Sequence, residues 1–218
     1  MIFINFKTYE GGSGEKAINL VKIIEEVATQ TQIKIIPAVQ VLDLRDVIKS
    51  TKLEVWVQKI DPITYGASTG GILPEEVLAA GASGTFLNHS ENRIEDFATL
   101  EASVNRAREV GLKSLVFAKD IDELTRICSL KPDYVSYEPP ELIGGEISVS
   151  SAKPEIISQA VNITKEVGIP LIVGAGIHSR EDIKTSLSLG AAGFAVASAI
   201  VKSDNPRKVI LDLTEGYK

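Results

Sequence analysis

The stretch "VGLKSLVFAKDIDEL", Val110 to Leu124, decides the architecture. Gly111 closes a segment of helical period and is free to take the left-handed conformation that ends a helix. The run "SLVFAK" then places apolar residues at successive positions, as a strand buried on both faces does. Asp120 with Glu123 fits a capping box and opens the next helix. A strand flanked so closely by helices on both sides belongs to a repeating βα unit.

The same order returns along the chain. A glycine leads from a helical segment into a strand in "AGASGTFL", "VGIPLIVG" and "LGAAGFAV" as well. The apolar, β-rich runs are "IFINF", "IKIIPAV", "LEVWVQKI", "GTFLN", "SLVFAK", "YVSYE", "PLIVGAG" and "GFAVAS". Between them apolar stripes recur at helical spacing: Ile18, Val21, Ile24 and Val27, with Ser13 available as a cap; Phe97, Leu100, Val104 and Ala107; Ile156, Ile157, Ala160, Val161 and Thr164. Ser179 with Asp182 fits a second capping box, and Pro74 and Pro154 suit first helical turns.

About eight such units predict an α/β fold with a parallel sheet wrapped by helices, most economically a closed (β/α)8 barrel over residues 1–218 as a single catalytic domain. An open doubly wound sheet is the alternative. Its dinucleotide-binding form is disfavoured, because "NFKTYEGGSGEK" after the first run contains no G-x-G-x-x-G. A chain of 218 residues is short for a barrel. Some helices must therefore be reduced, and the second and third units look shortest.

Composition sets the surroundings. The chain is 44 % hydrophobic and carries a net charge of −6 without a basic cluster. That argues against nucleic acid and anionic membrane as partners. The single cysteine, Cys128, excludes an intrachain disulfide, reads as an apolar filler on a helix, and points to a reducing compartment. The N-terminal apolar run meets Asn5 and Lys7 too soon for a signal peptide or a membrane span, so a cytoplasmic protein is expected.

In a barrel of this kind the chemistry sits at the C-terminal ends of the strands. The residues that close the runs are Asn5 and Lys7, Gln58 and Lys59, Asn88 and His89, Lys119, Glu138, Gly174 to Gly176, and Ala197 with Ser198. A carboxylate, a cation and an imidazole stand among them. Ser90 is able to open a helical turn, which would set His89 at the positive end of a helix dipole and keep it neutral. A histidine hydrogen-bonded for packing is the plain alternative. In "YEPPELIGG", 137–145, two prolines end the strand at Glu138, and the prolines and glycines bracket a segment able to swing as a lid with Leu142 and Ile143 at its tip. An ordinary loop fits the same residues. Small-residue turns at "VGAGI" and "VASA", with Gly144 and Gly145, offer backbone N–H groups for a phosphate, or serve simply as tight turns.

Together "NFK" at 5–7, "NHSENR" at 88–93, "EPPELIG" at 138–144, "GAGI" at 174–177 and "GFAVAS" at 193–198 resemble the signature segments of the triosephosphate isomerase family, in its compact archaeal form. The resemblance implies interconversion of dihydroxyacetone phosphate and glyceraldehyde 3-phosphate through an enediolate, with neither metal nor organic cofactor. It assigns Glu138 as the base, neutral His89 as the group that polarises the substrate oxygens, and Lys7 as the stabilising charge, with Asn5 helping to position it. Glu91 would hold the Lys7 ammonium or support the site from behind the residues that touch substrate. The phosphate would sit on backbone N–H groups at Ile143, Gly144, Gly176, Ala197 and Ser198. The loop "ITYGASTGGILPEE", 63–76, would enter a neighbouring subunit beside the lysine, giving a homodimer, or a tetramer where a missing helix exposes the barrel wall. Gly145 and Glu146 depart from the family pattern, and neither Lys59 nor His178 acquires a role. A metal-dependent sugar-phosphate epimerase would need a cluster of histidines and aspartates at strand ends. A non-catalytic phosphate-binding barrel would not need Lys7, His89 and Glu138 together.

Overall fold

The computed structural model, which describes residues 1–139, 154–174, 177 and 179–218, contains eight parallel strands closed into a barrel. They are β1 (Ile2–Asn5), β2 (Ile35–Val39), β3 (Trp56–Val57), β4 (Gly84–Leu87), β5 (Lys113–Ala118), β6 (Tyr134–Tyr137), β7 (Leu171–Val173) and β8 (Gly193–Val196). Each strand pairs with the next in sequence, and β8 returns to β1 with Ile2 opposite Phe194. Closure decides against the open sheet. The intervening helices are α1 (Gly14–Thr31), α2 (Leu44–Lys49), α3 (Pro74–Ala79), α4 (Phe97–Val110), α5 (Ile121–Ser129), α6 (Pro154–Glu166), α7 (Arg180–Ser188), α8 (Ser198–Val201) and α9 (Pro206–Glu215). As expected for so short a barrel, α2 and α3 are reduced to six residues each.

The glycines that lead from helix to strand do what their lack of a Cβ permits. Gly81, Gly111, Gly168 and Gly190 all have positive φ, between 71° and 104°. The box at Ser179 and Asp182 forms completely. Two other caps differ from expectation. Ser13 stands at the start of α1, but its hydroxyl donates to the Tyr9 carbonyl, and Asp43 Oδ1 instead accepts from the Gly14 N–H at 3.0 Å. Asp120 accepts from the Glu123 N–H at 2.7 Å. The Glu123 carboxylate does not complete the box, because the Lys119 N–H and Arg93 claim it. Strand β3 is shorter than its apolar run, although pairing continues at its flanks, from Gln58 N–H to Val39 O and from Ser83 N–H to Val55 O.

Two apolar layers follow from the alternation of side chains across each strand. One lies between barrel and helices and takes the stripes of α1, α4 and α6. The other fills the barrel with Phe3, Ile36, Ala38, Trp56, Phe86, Leu115, Phe117, Ile172 and Ala195. Phe3 meets the rings of Trp56, Phe86 and Tyr134 edge-on at 5.0, 5.8 and 5.7 Å. Gly84 makes room for the indole, since a Cβ there would lie 2.4 Å from the Trp56 ring. The same parity, carried two residues further along each strand, brings Asn5, Gln58, Glu138 and Gly174 to the C-terminal mouth.

Candidate active site

Lys7 lies just beyond β1 in the left-handed region, at φ 48°. Its N–H donates to Asn5 Oδ1 at 2.9 Å, which bends the chain back over the strand end. The ammonium is thereby turned across the mouth to Glu91 Oε1 at 2.8 Å. From the end of β3, Gln58 Nε2 donates to the Lys7 carbonyl at 2.9 Å, with Asn5 Oδ1 at 3.3 Å and Ala38 O at 3.4 Å.

His89 is delivered by a second left-handed residue, Asn88, at φ 60°. The Asn88 side chain donates to Phe117 O at 2.9 Å and accepts from the Ile94 N–H at 3.0 Å, while its carbonyl takes Arg93 Nη1 at 3.3 Å. Arg93 is itself held by Glu123 at the start of α5. No helix begins at Ser90, contrary to expectation. The chain makes a single turn, Asn92 N–H to His89 O, and the next helix starts at Phe97. His89 is therefore kept neutral by other means: burial first, then the nearby Lys7 charge, lower its pKa to about 4, against a small opposing pull from Glu91. Nδ1 accepts the Glu91 N–H at 3.1 Å, which leaves the ring proton on Nε2. Asn5 Nδ2, 3.4 Å from Nε2, is then a second donor beside the first and not a bonded partner.

Glu138 follows β6, its N–H bonded to Ala118 O. The carboxyl is buried, 3.5 Å from His89 Nε2, and accepts a long bond of 3.5 Å from the Ser90 hydroxyl. With the imidazole neutral, the histidine contact is not an ion pair. Burial raises the Glu138 pKa to about 7, with Lys7 and the Ser90 hydroxyl opposing and Glu91 reinforcing the rise. Gly174, just past the end of β7, admits the side chain: a Cβ there would stand 2.9 Å from Glu138 Oε1.

The mouth thus holds a carboxyl able to gain and lose a proton near neutral pH, an uncharged N–H donor, and a fixed cation. A cavity of about 470 Å³ opens over Asn5, Lys7, Gln58 and His89, and another of about 260 Å³ over Ser90, Phe117, Lys119 and Glu138. Ala197 follows β8 and Ser198 begins the short α8, at the same end of the barrel. Ile143, Gly144 and Gly176, the segment from Pro140 to Glu146, and His178 lie outside the described residues. Lys59 pairs with Asp61 at 3.0 Å, at the base of the loop before α3. That loop is tied by reciprocal Asp61 and Ile72 bonds and by Arg106 on the Ile63 carbonyl. Among the described residues no three His, Cys, Asp or Glu side chains converge as a metal site, and no helix is long and apolar enough to cross a membrane.

The bonds of Gln58 and the Asn88, Arg93 and Glu123 network were not visible in the sequence. Parity with Trp56, two residues earlier on β3, is the signal that places Gln58 inward.

A raised carboxyl beside a neutral imidazole at the mouth of a closed parallel barrel is the equipment of a (β/α)8 enzyme that moves protons. The chain belongs to the triosephosphate isomerase family, whose model matches residues 1–215. The triosephosphate isomerase of Saccharolobus solfataricus is 43% identical over 97% of this chain and 93% of its own length. That of Methanocaldococcus jannaschii is 39% identical over 98% of each. A crystal structure of triosephosphate isomerase from Bartonella henselae agrees in fold, with TM-score 0.79 at 20% identity over 99% of this chain and 98% of that one.

Proposed function

We propose that Glu138, His89 and Lys7 carry out the reaction of this family, the interconversion of dihydroxyacetone phosphate and D-glyceraldehyde 3-phosphate. Glu138 takes a proton from the carbon next to the carbonyl, and the C–H electron pair becomes the double bond of an enediolate. Returned to the neighbouring carbon, the same proton completes the isomerisation without net gain or loss of atoms. His89 Nε2–H donates to the substrate oxygens and passes protons between them, and Lys7 balances the charge that develops there. A glutamate base with a neutral histidine is the known pattern of this enzyme family. The observation that carries the reading is the Glu138 carboxyl, buried, raised to about 7 and 3.5 Å from an uncharged ring N–H.

Asn5 fixes the turn of Lys7, and Glu91 holds the ammonium at 2.8 Å. Backbone N–H groups at Ala197 and Ser198, with Ile143, Gly144 and Gly176, form the phosphate cradle, and the segment from Pro139 to Gly145 closes over it. Residues 1–218 work as one catalytic unit in the cytoplasm. The exposed apolar Leu42 and Tyr65, at 88% and 69%, favour self-association through the 63–76 loop. A coupled assay with glyceraldehyde 3-phosphate tests the activity. Turnover in the parent and a large loss in Lys7→Ala are expected. Binding of phosphoglycolate without turnover in the parent would leave only a binding protein. Light scattering tests association, and an active monomer would refute it.

A further inference from the structure

Lys7 adopts a backbone that disfavours a side chain. Left-handed φ is unfavourable for an L-residue, because Cβ approaches the following carbonyl. One support for that turn is local, from Asn5 Oδ1 to the Lys7 N–H. Another crosses from β3, where Gln58 Nε2 donates to the Lys7 carbonyl at 2.9 Å and lies 3.3 Å from Asn5 Oδ1. A single amide thus grips both residues that define the turn. Gln58 directly follows β3 and shares the inward parity of Trp56 two positions before it, whose ring is packed by Phe3 and Phe86, so its base is anchored at the barrel interior. Glu91 by itself makes a weak anchor for the ammonium, since its side chain is 57% exposed.

We propose that Gln58 is the positioning residue for Lys7, its amide holding the left-handed turn that keeps the ammonium across the barrel mouth. The inference rests on the reading of Lys7 given above. Gln58 acts through the lysine: its Nε2 is directed at the turn's own acceptors. Loss of those bonds releases Lys7 toward extended backbone, with its charge carried away from the reacting oxygens.

A double-mutant cycle tests this. Gln58→Met keeps length and volume but removes both donors. It is combined with Lys7→Ala, and kcat and KM are measured in the coupled assay, with phosphoglycolate affinity measured by calorimetry. The expected loss in kcat/KM for Gln58→Met is about 10-fold, that of one hydrogen bond to a strained site, with the thermal midpoint nearly unchanged. Added to Lys7→Ala, the same change should cost less than about twofold, because the residue it serves is gone. Multiplicative losses would overturn the inference. So would full activity in Gln58→Met beside a crippled Lys7→Ala, which leaves the reading of Lys7 standing. Parental activity in Lys7→Ala would instead bring down that reading and this inference with it. Should Gln58→Met fold poorly, Gln58→Glu keeps the shape, faces the Lys7 carbonyl with an oxygen, and must show the same non-additivity.

Discussion

The floor and the mouth of the barrel are made by the same strands with the same alternation, yet they follow opposite rules. Below, Phe3, Trp56, Phe86 and Tyr134 pack edge to face. Above, Lys7 and Asn88 sit at φ 48° and 60°, and a carboxyl and an imidazole are buried away from water. The floor contributes stability, and the mouth uses some of it to hold strained backbone and displaced protonation states where chemistry needs them.

The sharpest way to separate the two regions is Glu138→Gln, with opposite effects expected on activity and stability. Turnover should fall by roughly 10²-fold or more, the minimum for a positioned base. Stability should rise. The folded-state pKa of Glu138, raised from 4.5 to about 7, means that the folded parent holds a proton more tightly between those values. The parent therefore loses stability as pH climbs from about 5 to 8, by about 3 kcal/mol on the linkage relation, and the glutamine variant escapes that loss. His89 acts in the opposite sense in both proteins. Its lowered pKa withdraws stability as pH falls from 6.5 toward 4. Denaturant midpoints at pH 5 and pH 8 decide: a variant no more stable than the parent at pH 8 would mean that the carboxyl is not strained by burial.

At the floor the effect should fall on stability alone. Trp56→Ala removes a fully buried ring and should lower the unfolding free energy by about 3–5 kcal/mol. Urea unfolding measures it, and a loss under about 1 kcal/mol would show that the aromatic cluster does not carry the barrel. Next comes Gly174→Ala, which presses a methyl group to 2.9 Å from Glu138 Oε1. Turnover on the order of 10-fold lower with little change in melting temperature is expected from displacement of the base. Parental turnover would mean that the carboxyl has room to spare. The smallest effect belongs to Ser136, whose hydroxyl is buried two residues before Glu138 without a partner among the described residues. Ser136→Ala should be neutral or stabilising by about 1 kcal/mol, and a clear loss in thermal unfolding would reveal a partner for the hydroxyl.

Much of the fold was legible because its signals are local. Gly81, Gly111, Gly168 and Gly190 announced left-handed helix ends, and the short segments around α2 and α3 announced reduced helices. The caps at Ser13 and Asp120 were legible only in part, since Tyr9 drew off the serine hydroxyl and Arg93 the Glu123 carboxylate. The Tyr9 carbonyl is a local competitor within the same turn, whereas Arg93 comes from a segment that sequence spacing does not bring to Glu123. In the site, the strand ends pointed to Lys7, His89 and Glu138, and the barrel mouth brings the three together. The cause of the neutral histidine was misread, because a turn and not a helix follows Ser90. Burial depth, which displaces both pKa values, depends on the closed barrel as a whole.

In the proposed mechanism the proton transfers turn on the neutral imidazole, which is open to direct measurement. The chain has two histidines, so His178→Gln leaves His89 as the sole imidazole for nitrogen NMR across a pH titration. The ring should remain neutral with its proton on Nε2 from pH 8 down to pH 5, and begin to charge only near its lowered pKa of about 4. An imidazolium signal at pH 6, or a proton on Nδ1, would contradict it.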